Sequence, residues 1–279
     1  MRTPSPATPM YEARSAANRF VDSPLFELLS RAGFVARGLI YAIIGVLAFD
    51  VAIGHGGKIT NQQGALQTVE QQPFGHLLLA LLAVGLGGYA VWRLFRAALG
   101  HGPEGADSGI ERLGALGSGL VYAGLSAIAV KVLAGSGSSG SSGTAKHTAS
   151  GVFAWPAGRW LVLVAGLVML GIALHQFVRG VTKKFLDDDK TEKMGPTMER
   201  WITRAGVVGH VARAVVFALI GVFLVKAAID YQANEAVGLD GALAKLYDRS
   251  YGPWFLGVVA AGLVVFGIFS ITEARYRRI

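Results

Sequence analysis

Three copies of one helix hairpin are written along this chain, and each copy is long enough to cross a bilayer twice. The first opens Gly33-Phe34-Val35-Ala36-Arg37-Gly38-Leu39-Ile40-Tyr41, the second Gly114-Ala115-Leu116-Gly117-Ser118-Gly119-Leu120-Val121-Tyr122, and the third Gly209-His210-Val211-Ala212-Arg213-Ala214-Val215-Val216-Phe217. A second glycine follows at near-constant spacing. Gly33 to Gly75 is 42 residues, Gly114 to Gly158 is 44, and Gly209 to Gly252 is 43. Constant spacing of matched motifs is the mark of duplication.

The segments between these motifs are too apolar for a soluble domain. Tyr251 to Ile271 is 21 residues without a formal charge, Phe74 to Trp92 is 19 residues broken only by His76, and Leu113 to Val130 is 18. Charged residues make up 16% of the chain, against about 25% in soluble proteins. About 20 helical residues cross the hydrocarbon core. The pattern predicts an all-α integral membrane protein with spans at 34–53, 74–95, 113–133, 159–178, 208–229 and 252–271. Repeat 1 covers 31–100, repeat 2 covers 112–180 and repeat 3 covers 204–279. A connector of 181–203 lies between repeats 2 and 3. All three repeats run in the same direction, which predicts a pseudo-threefold six-helix bundle about the membrane normal.

The net charge of +8 is distributed by side. With six crossings, 17 Lys and Arg fall with the N-terminus, residues 93–112, residues 179–204 and the C-terminus; seven fall on the other side. The positive-inside rule makes the first side cytoplasmic and puts both termini there, in a plasma membrane. Insertion and anionic lipid account for this charge, so nucleic acid is not an expected partner. The lipid bilayer is, together with a membrane-protein partner or a second copy. Residues 1–30 begin polar, with Pro4, Pro6 and Pro9. They predict an arm and then a short surface helix starting at Ser23-Pro24, with the first span an uncleaved anchor.

The outer loops differ. Gly64-Ala65-Leu66-Gln67-Thr68-Val69 and Gly241-Ala242-Leu243-Ala244-Lys245-Leu246 predict short amphipathic helices, whereas Gly135 to Gly143 in repeat 2 reads as a Gly/Ser linker without an apolar side. The outer cap should therefore be asymmetric. Residues 183–200, with Asp187-Asp188-Asp189 among lysines, read as a solvated connector.

These features resemble a bacterial membrane family, the domain of unknown function 1206. Its repeat is matched by Ala36-Arg37-Gly38 with Tyr41, by Gly64-Ala65-Leu66, and by Pro73-Phe74-Gly75 with Gly85, Gly87 and Gly88. The resemblance covers roughly 31–275. It departs at Ser118 and the linker in repeat 2, and at Ala214 and Ser250 in repeat 3. It implies three two-helix repeats in a membrane and no reaction, ligand or catalytic residue.

A charge near mid-bilayer costs about 3 kcal/mol on insertion scales, so charged positions are where chemistry would show. Alignment stacks Asp50, Lys131 and Lys226 near the outer ends of their helices. They form either a paired cluster lining a vestibule or separate interfacial charges with snorkelling lysines. Arg37 and Arg213 align near the inner ends, with Ser118 in repeat 2. Two inward guanidiniums suit phosphate or carboxylate, and equally lipid phosphates or helix-end carbonyls. Tyr41, Tyr122 and Phe217 align one turn deeper, as core packing or with hydroxyls seeking a carbonyl or Ser126. His210 reads as an interface residue. No cysteine is present, which excludes disulfides and thiolate chemistry, and no haem, di-iron, Walker or protease motif occurs. No cofactor or metal is expected. Glycines in the second helices (Gly85, Gly87, Gly88; Gly166, Gly171; Gly257, Gly262, Gly267) are suited to close helix packing. Three functions remain: a non-catalytic scaffold or accessory protein, which the apolar helices favour; a small-solute transporter or channel between the first, third and fifth spans; and a lipid-modifying enzyme.

Overall fold

The computed structural model describes residues 23–99, 109–135, 144–188 and 194–277. The expected N-terminal arm, most of the Gly/Ser linker and residues 189–193 of the connector lie outside the described residues. The chain is all-α, with helices α1 (Pro24–Ala52), α2 (Gln62–Glu70), α3 (Gly75–Leu99), α4 (Gly109–Leu133), α5 (Thr144–Phe153), α6 (Gly158–Val181), α7 (Pro196–Ile229), α8 (Leu239–Tyr247) and α9 (Gly252–Tyr276). Six of them, α1, α3, α4, α6, α7 and α9, are long and apolar enough to cross a membrane. The shortest, α6, has 24 residues, or about 36 Å at 1.5 Å per residue.

Two spans begin earlier than expected. Ser23 accepts a hydrogen bond from the Phe26 amide at 3.2 Å, and Pro24 fills the first helical position, where its missing N–H costs nothing. From there α1 runs unbroken to Ala52, so the expected surface helix and first span are one helix. Likewise Pro196 starts α7 twelve residues ahead of 208. His210 is consequently mid-helix and buried, its Nδ1 paired with the Gly206 carbonyl at 2.8 Å and its ring stacked on Phe185 at 5.1 Å. Phe185 lies in a 3-10 turn, Lys184–Asp188, and is fully buried. The connector between repeats 2 and 3 therefore plugs the bundle with one aromatic side chain rather than being solvated throughout.

The short helices lie between the two halves of each hairpin. Asn61 caps α2 by accepting from the amides of Gln63 and Gly64, and Ala65, Leu66 and Val69 of α2 enter the main core. In α8, Leu239, Ala242 and Leu243 do the same. Repeat 2 also has a short helix, α5, which the linker composition did not announce. Its Ala149 and Phe153 join a separate small cluster with Val162, Ala227, Ala228 and Ala236. The asymmetry lies in where the cap helix packs, not in its absence.

The long helices pack in the order α4, α3, α1, α9, α7, α6. Five junctions thus link the six spans in a row, and its two end helices, α4 and α6 of repeat 2, have no more than marginal contact with each other. Repeats 1 and 3 each keep their two helices together, whereas in repeat 2 one helix leans on α3 and the other on α7. The packing thus does not confirm a threefold bundle; it forms an open arc. Only 17% of the apolar stretch of α4 and of α6 is buried, against 44–56% in the other four spans.

Glycine placement explains which sides are closed. Gly38 of α1 and Gly267 of α9 face each other backbone to backbone, and Gly33 of α1 accommodates Tyr89 of α3. Such close approach is what small residues give helices in lipid. In contrast Gly114, Gly117 and Gly124 of α4, and Gly171 of α6, face open space. Replacing Gly267 by Ala would force α1 and α9 apart and should lower stability by about 1–3 kcal/mol, as overpacking does. Gly117→Ala should leave it unchanged or raise it by about 0.5–1 kcal/mol. Thermal unfolding of both variants in detergent checks the contrast.

Candidate functional site

A helical side chain leans toward its own helix N-terminus. Helices α1 and α9 are antiparallel, so a long side chain on one meets a long side chain on the other from the opposite direction. Arg37 and Glu273 meet in this way at the arginine-rich end of the bundle. Both are buried, at 7% and 4% exposure. Arg37 donates through Nη2 to Glu273 Oε2 at 2.5 Å, through Nε to Ser270 Oγ at 2.8 Å and through Nη1 to the Tyr89 hydroxyl at 2.8 Å. The Ser270 hydroxyl donates in turn to the Phe34 carbonyl at 3.0 Å. The other carboxylate oxygen, Glu273 Oε1, accepts from Arg277 Nη1 at 2.5 Å. Tyr89 also accepts from Arg93 Nε at 3.2 Å. Rings of Phe34, Tyr89 and Phe266 flank the Arg37 guanidinium at 4.9–5.5 Å. Six residues earlier on α1, Arg31 donates to the carbonyls of Ala274 and Arg275 in the last turn of α9. The knot ties α1, α3 and α9 together.

Arg213 of α7 has a different setting. Its guanidinium packs on Phe266 at 4.4 Å, Tyr41 at 5.1 Å and Phe217 at 5.2 Å. With the Gln176 amide assigned from its surroundings, the side-chain oxygen of Gln176 on α6 accepts from Nη1 and Nη2 at 3.2 and 3.3 Å. Nε is buried without a partner. No carboxylate pairs with Arg213 among the described residues.

At the opposite end Glu235, in a 3-10 turn (Ala233–Glu235), joins two helices. It pairs with Lys245 of α8 at 2.6 Å and Lys226 of α7 at 3.3 Å. The sequence grouped Lys226 with Asp50 and Lys131. The structure links no two of these three by an ion pair among the described residues: Asp50 is half-buried, Lys131 is exposed, and Lys226 turns to the nearer Glu235. Tyr41 is buried edge-on against Phe266 at 5.0 Å, and Tyr122 packs on Tyr89 at 4.5 Å. Ser126 serves neither hydroxyl; it donates to the Ala83 carbonyl on α3 at 2.8 Å.

Sequence inspection missed Glu273, Ser270, Tyr89, Gln176 and Glu235. A signal for three of them, Glu273, Ser270 and Gln176, existed in the repeat register. Counting from Gly75, Gly158 and Gly252, the position 18 residues on holds Arg93, Gln176 and Ser270, and the position 21 on holds Arg96, Arg179 and Glu273. The partners of Arg37 and Arg213 lie at these registers, on the helix of the preceding or last repeat.

Six apolar spans stapled by internal charge define a multi-pass membrane protein. The chain belongs to the family described as Domain of Unknown Function (DUF1206), whose model matches residues 32–105, 113–183 and 208–277. It is 34% identical over 259 residues to a Bacillus subtilis (strain 168) protein named "Uncharacterized protein YxxB", covering 91% of this chain and 92% of that one. No solved structure matches it.

Two outcomes follow. Glu273→Gln leaves Arg37 and Arg277 without their shared carboxylate, and breaking a buried pair costs about 3–5 kcal/mol; unfolding in detergent should show a loss of that order. Glu235 titrates below its ordinary 4.5, first because Lys245 donates a hydrogen bond to it and then because Lys226 does. A depressed carboxylate stabilises the fold above its ordinary value and loses that contribution as the pH falls. The melting-temperature gap between wild type and Glu235→Gln should therefore be full at pH 7 and narrow on acidification below 4.5.

Proposed function

We propose that the protein is a non-catalytic scaffold or accessory protein of the plasma membrane, with its arginine-rich end and both termini in the cytoplasm, and that a partner's transmembrane helix docks between α4 and α6. The supporting observation is the open side of the arc. Its two flanking helices are the least covered of the six spans, and glycines Gly117, Gly124 and Gly171 have nothing packed on them. Everywhere else in the bundle, glycines at this kind of position receive a neighbouring helix. The charges point the same way: Glu273 and Glu235 each staple helices together, a structural use.

Small-solute transport, the second reading, draws support from Arg213 and its aromatic walls. Against it, Gly38 to Phe49 and Ala214 to Val225 supply no charge along a path between α1, α4 and α7.

A photo-crosslinking residue at Gly117, Gly124 or Gly171 in native membranes separates these readings. The scaffold predicts a discrete protein adduct from these positions and none from Val258 of α9, which is 72% exposed. Lipid adducts alone would overturn it, and solute uptake by vesicles holding only this protein would favour transport.

A further inference from the structure

Helix α7 starts at Pro196, so its first turns carry Glu199, Arg200 and Arg204 ahead of the apolar run. Lys183 lies beside them, just past the end of α6. Gly180 of α6 packs on Val207 and His210 of α7, which sets the two helix ends level. Between them opens a groove of about 630 Å3, lined among others by Lys183, Glu199, Arg200, Arg204, Val207 and Val208. Three cations against one carboxylate leave these residues a net charge of +2. Lys183, Arg200 and Arg204 are exposed, and none is in an ion pair among the described residues. Elsewhere at this end the basic side chains are engaged within the chain: Arg31 holds α9 carbonyls, and Arg37 and Arg277 share Glu273. Lys183 itself has φ 59°, the left-handed conformation that glycine adopts most easily at a helix end. A lysine there supplies a charge that the turn does not require.

We propose that this groove binds one anionic phospholipid of the leaflet at the arginine-rich end, its phosphate on Lys183 and Arg204 and its acyl chains along α7. The cations suit the head group: a guanidinium grips phosphate bidentately and an ammonium binds it as a point charge. Depth suits it too. Arg204 is 25 residues from the Ile229 end of α7, and Lys183 is 25 residues from the Gly158 start of α6. Both therefore stand about 38 Å along antiparallel helices. The hydrocarbon core is about 30 Å thick and the whole bilayer about 40–45 Å, so this is the level of the head groups. Val208, four residues deeper, stands at the hydrocarbon edge. The path from the bilayer is open. Val208, Val215 and Val222 are exposed and follow at seven-residue steps, which keeps them in one stripe down α7. Leu174, Val178 and Val181 of α6 are exposed at matching levels. Arg213 plays no part. It lies nine residues from Arg204, about two and a half helical turns, and so on the opposite side of α7, where it packs on Phe266 and Tyr41. The groove is formed by the α6 and α7 ends alone and stands apart from the proposed docking of a partner between α4 and α6.

The test is native mass spectrometry of the full chain in mild detergent. The added probes are phosphatidylglycerol, phosphatidylcholine of the same acyl chains, or inorganic phosphate. The wild type should retain phosphatidylglycerol about tenfold better than phosphatidylcholine, as two surface cations acting on one anionic head group imply. Arg204→Gln should lose most of that preference. Lys183→Gly should lose it as well while melting no lower than the wild type, because glycine accepts the left-handed backbone at that position. Lys184→Gln removes the same charge one residue away, at a side chain that does not line the groove, and should keep the preference. Equal retention of the two lipids, or a preference unchanged in both groove variants, overturns the proposal. A loss in Lys184→Gln as large as in Lys183→Gly overturns it in favour of a diffuse basic surface. Displacement of the lipid by millimolar inorganic phosphate overturns it in favour of a soluble anion.

Discussion

Hydrocarbon accepts an apolar helix but cannot solvate a guanidinium, and the arrangement of this bundle follows from how each buried arginine is satisfied. Arg37 is satisfied within the chain. Its hydrogen bonds to Glu273, Ser270 and Tyr89 fix the rotation of α1 against α9 and α3, because a shift of one residue in either partner would remove an acceptor from a place water does not reach. The same contact aligns Gly38 with Gly267, so the polar knot and the closest helix approach reinforce each other. A fold in lipid lacks the hydrophobic drive between helices that water supplies, and specific pairs of this kind take over the role of choosing neighbours.

Duplication supplied three similar hairpins, and divergence then gave each junction a different use. At the α1–α9 junction the arginine has a carboxylate. At the α7–α6 junction it has an amide and a neighbouring cation register. At the α4–α3 junction the arginine is replaced by Ser118, across from registers holding Arg93 and Arg96. Repeat 2 diverged most: its two spans separate, its cap helix leaves the main core, and four of its glycines, Gly114, Gly117, Gly124 and Gly171, have nothing packed on them. An arc with one side open is a natural place for another membrane component.

Much of the fold was legible in the sequence because apolar run length is set directly by bilayer thickness. The six spans, the repeat spacing and the family resemblance all come from local pattern. Helix starts were less legible. Nothing in the composition of 24–33 or 196–207 says whether a half-polar helix lies on the surface or continues into the membrane; the Ser23 cap and the Pro196 start decide it. The candidate site was half legible. Arg37 and Arg213 stand out as charges within apolar runs, but Glu273 sits just beyond the uncharged run of the last span and 236 residues from its partner. Asp50, Lys131 and Lys226 were grouped because equal depth in a repeat suggests proximity. Equal depth on an open arc does not bring side chains together, and Glu235 in a loop was nearer to Lys226.

The arc is locked at α1–α9 and open between α4 and α6. The chain has no cysteine of its own, so introduced pairs report distance cleanly. Ala83→Cys with Ser126→Cys, whose parent residues share a hydrogen bond across α3 and α4, serves as the closed reference. Gly124→Cys with Leu167→Cys, and Gly117→Cys with Leu174→Cys, span the opening at matching depths. In the purified protein the reference pair should oxidise to a disulfide readily and neither spanning pair should do so. Spanning pairs that oxidise as fast as the reference would mean a closed ring, and the account would be wrong.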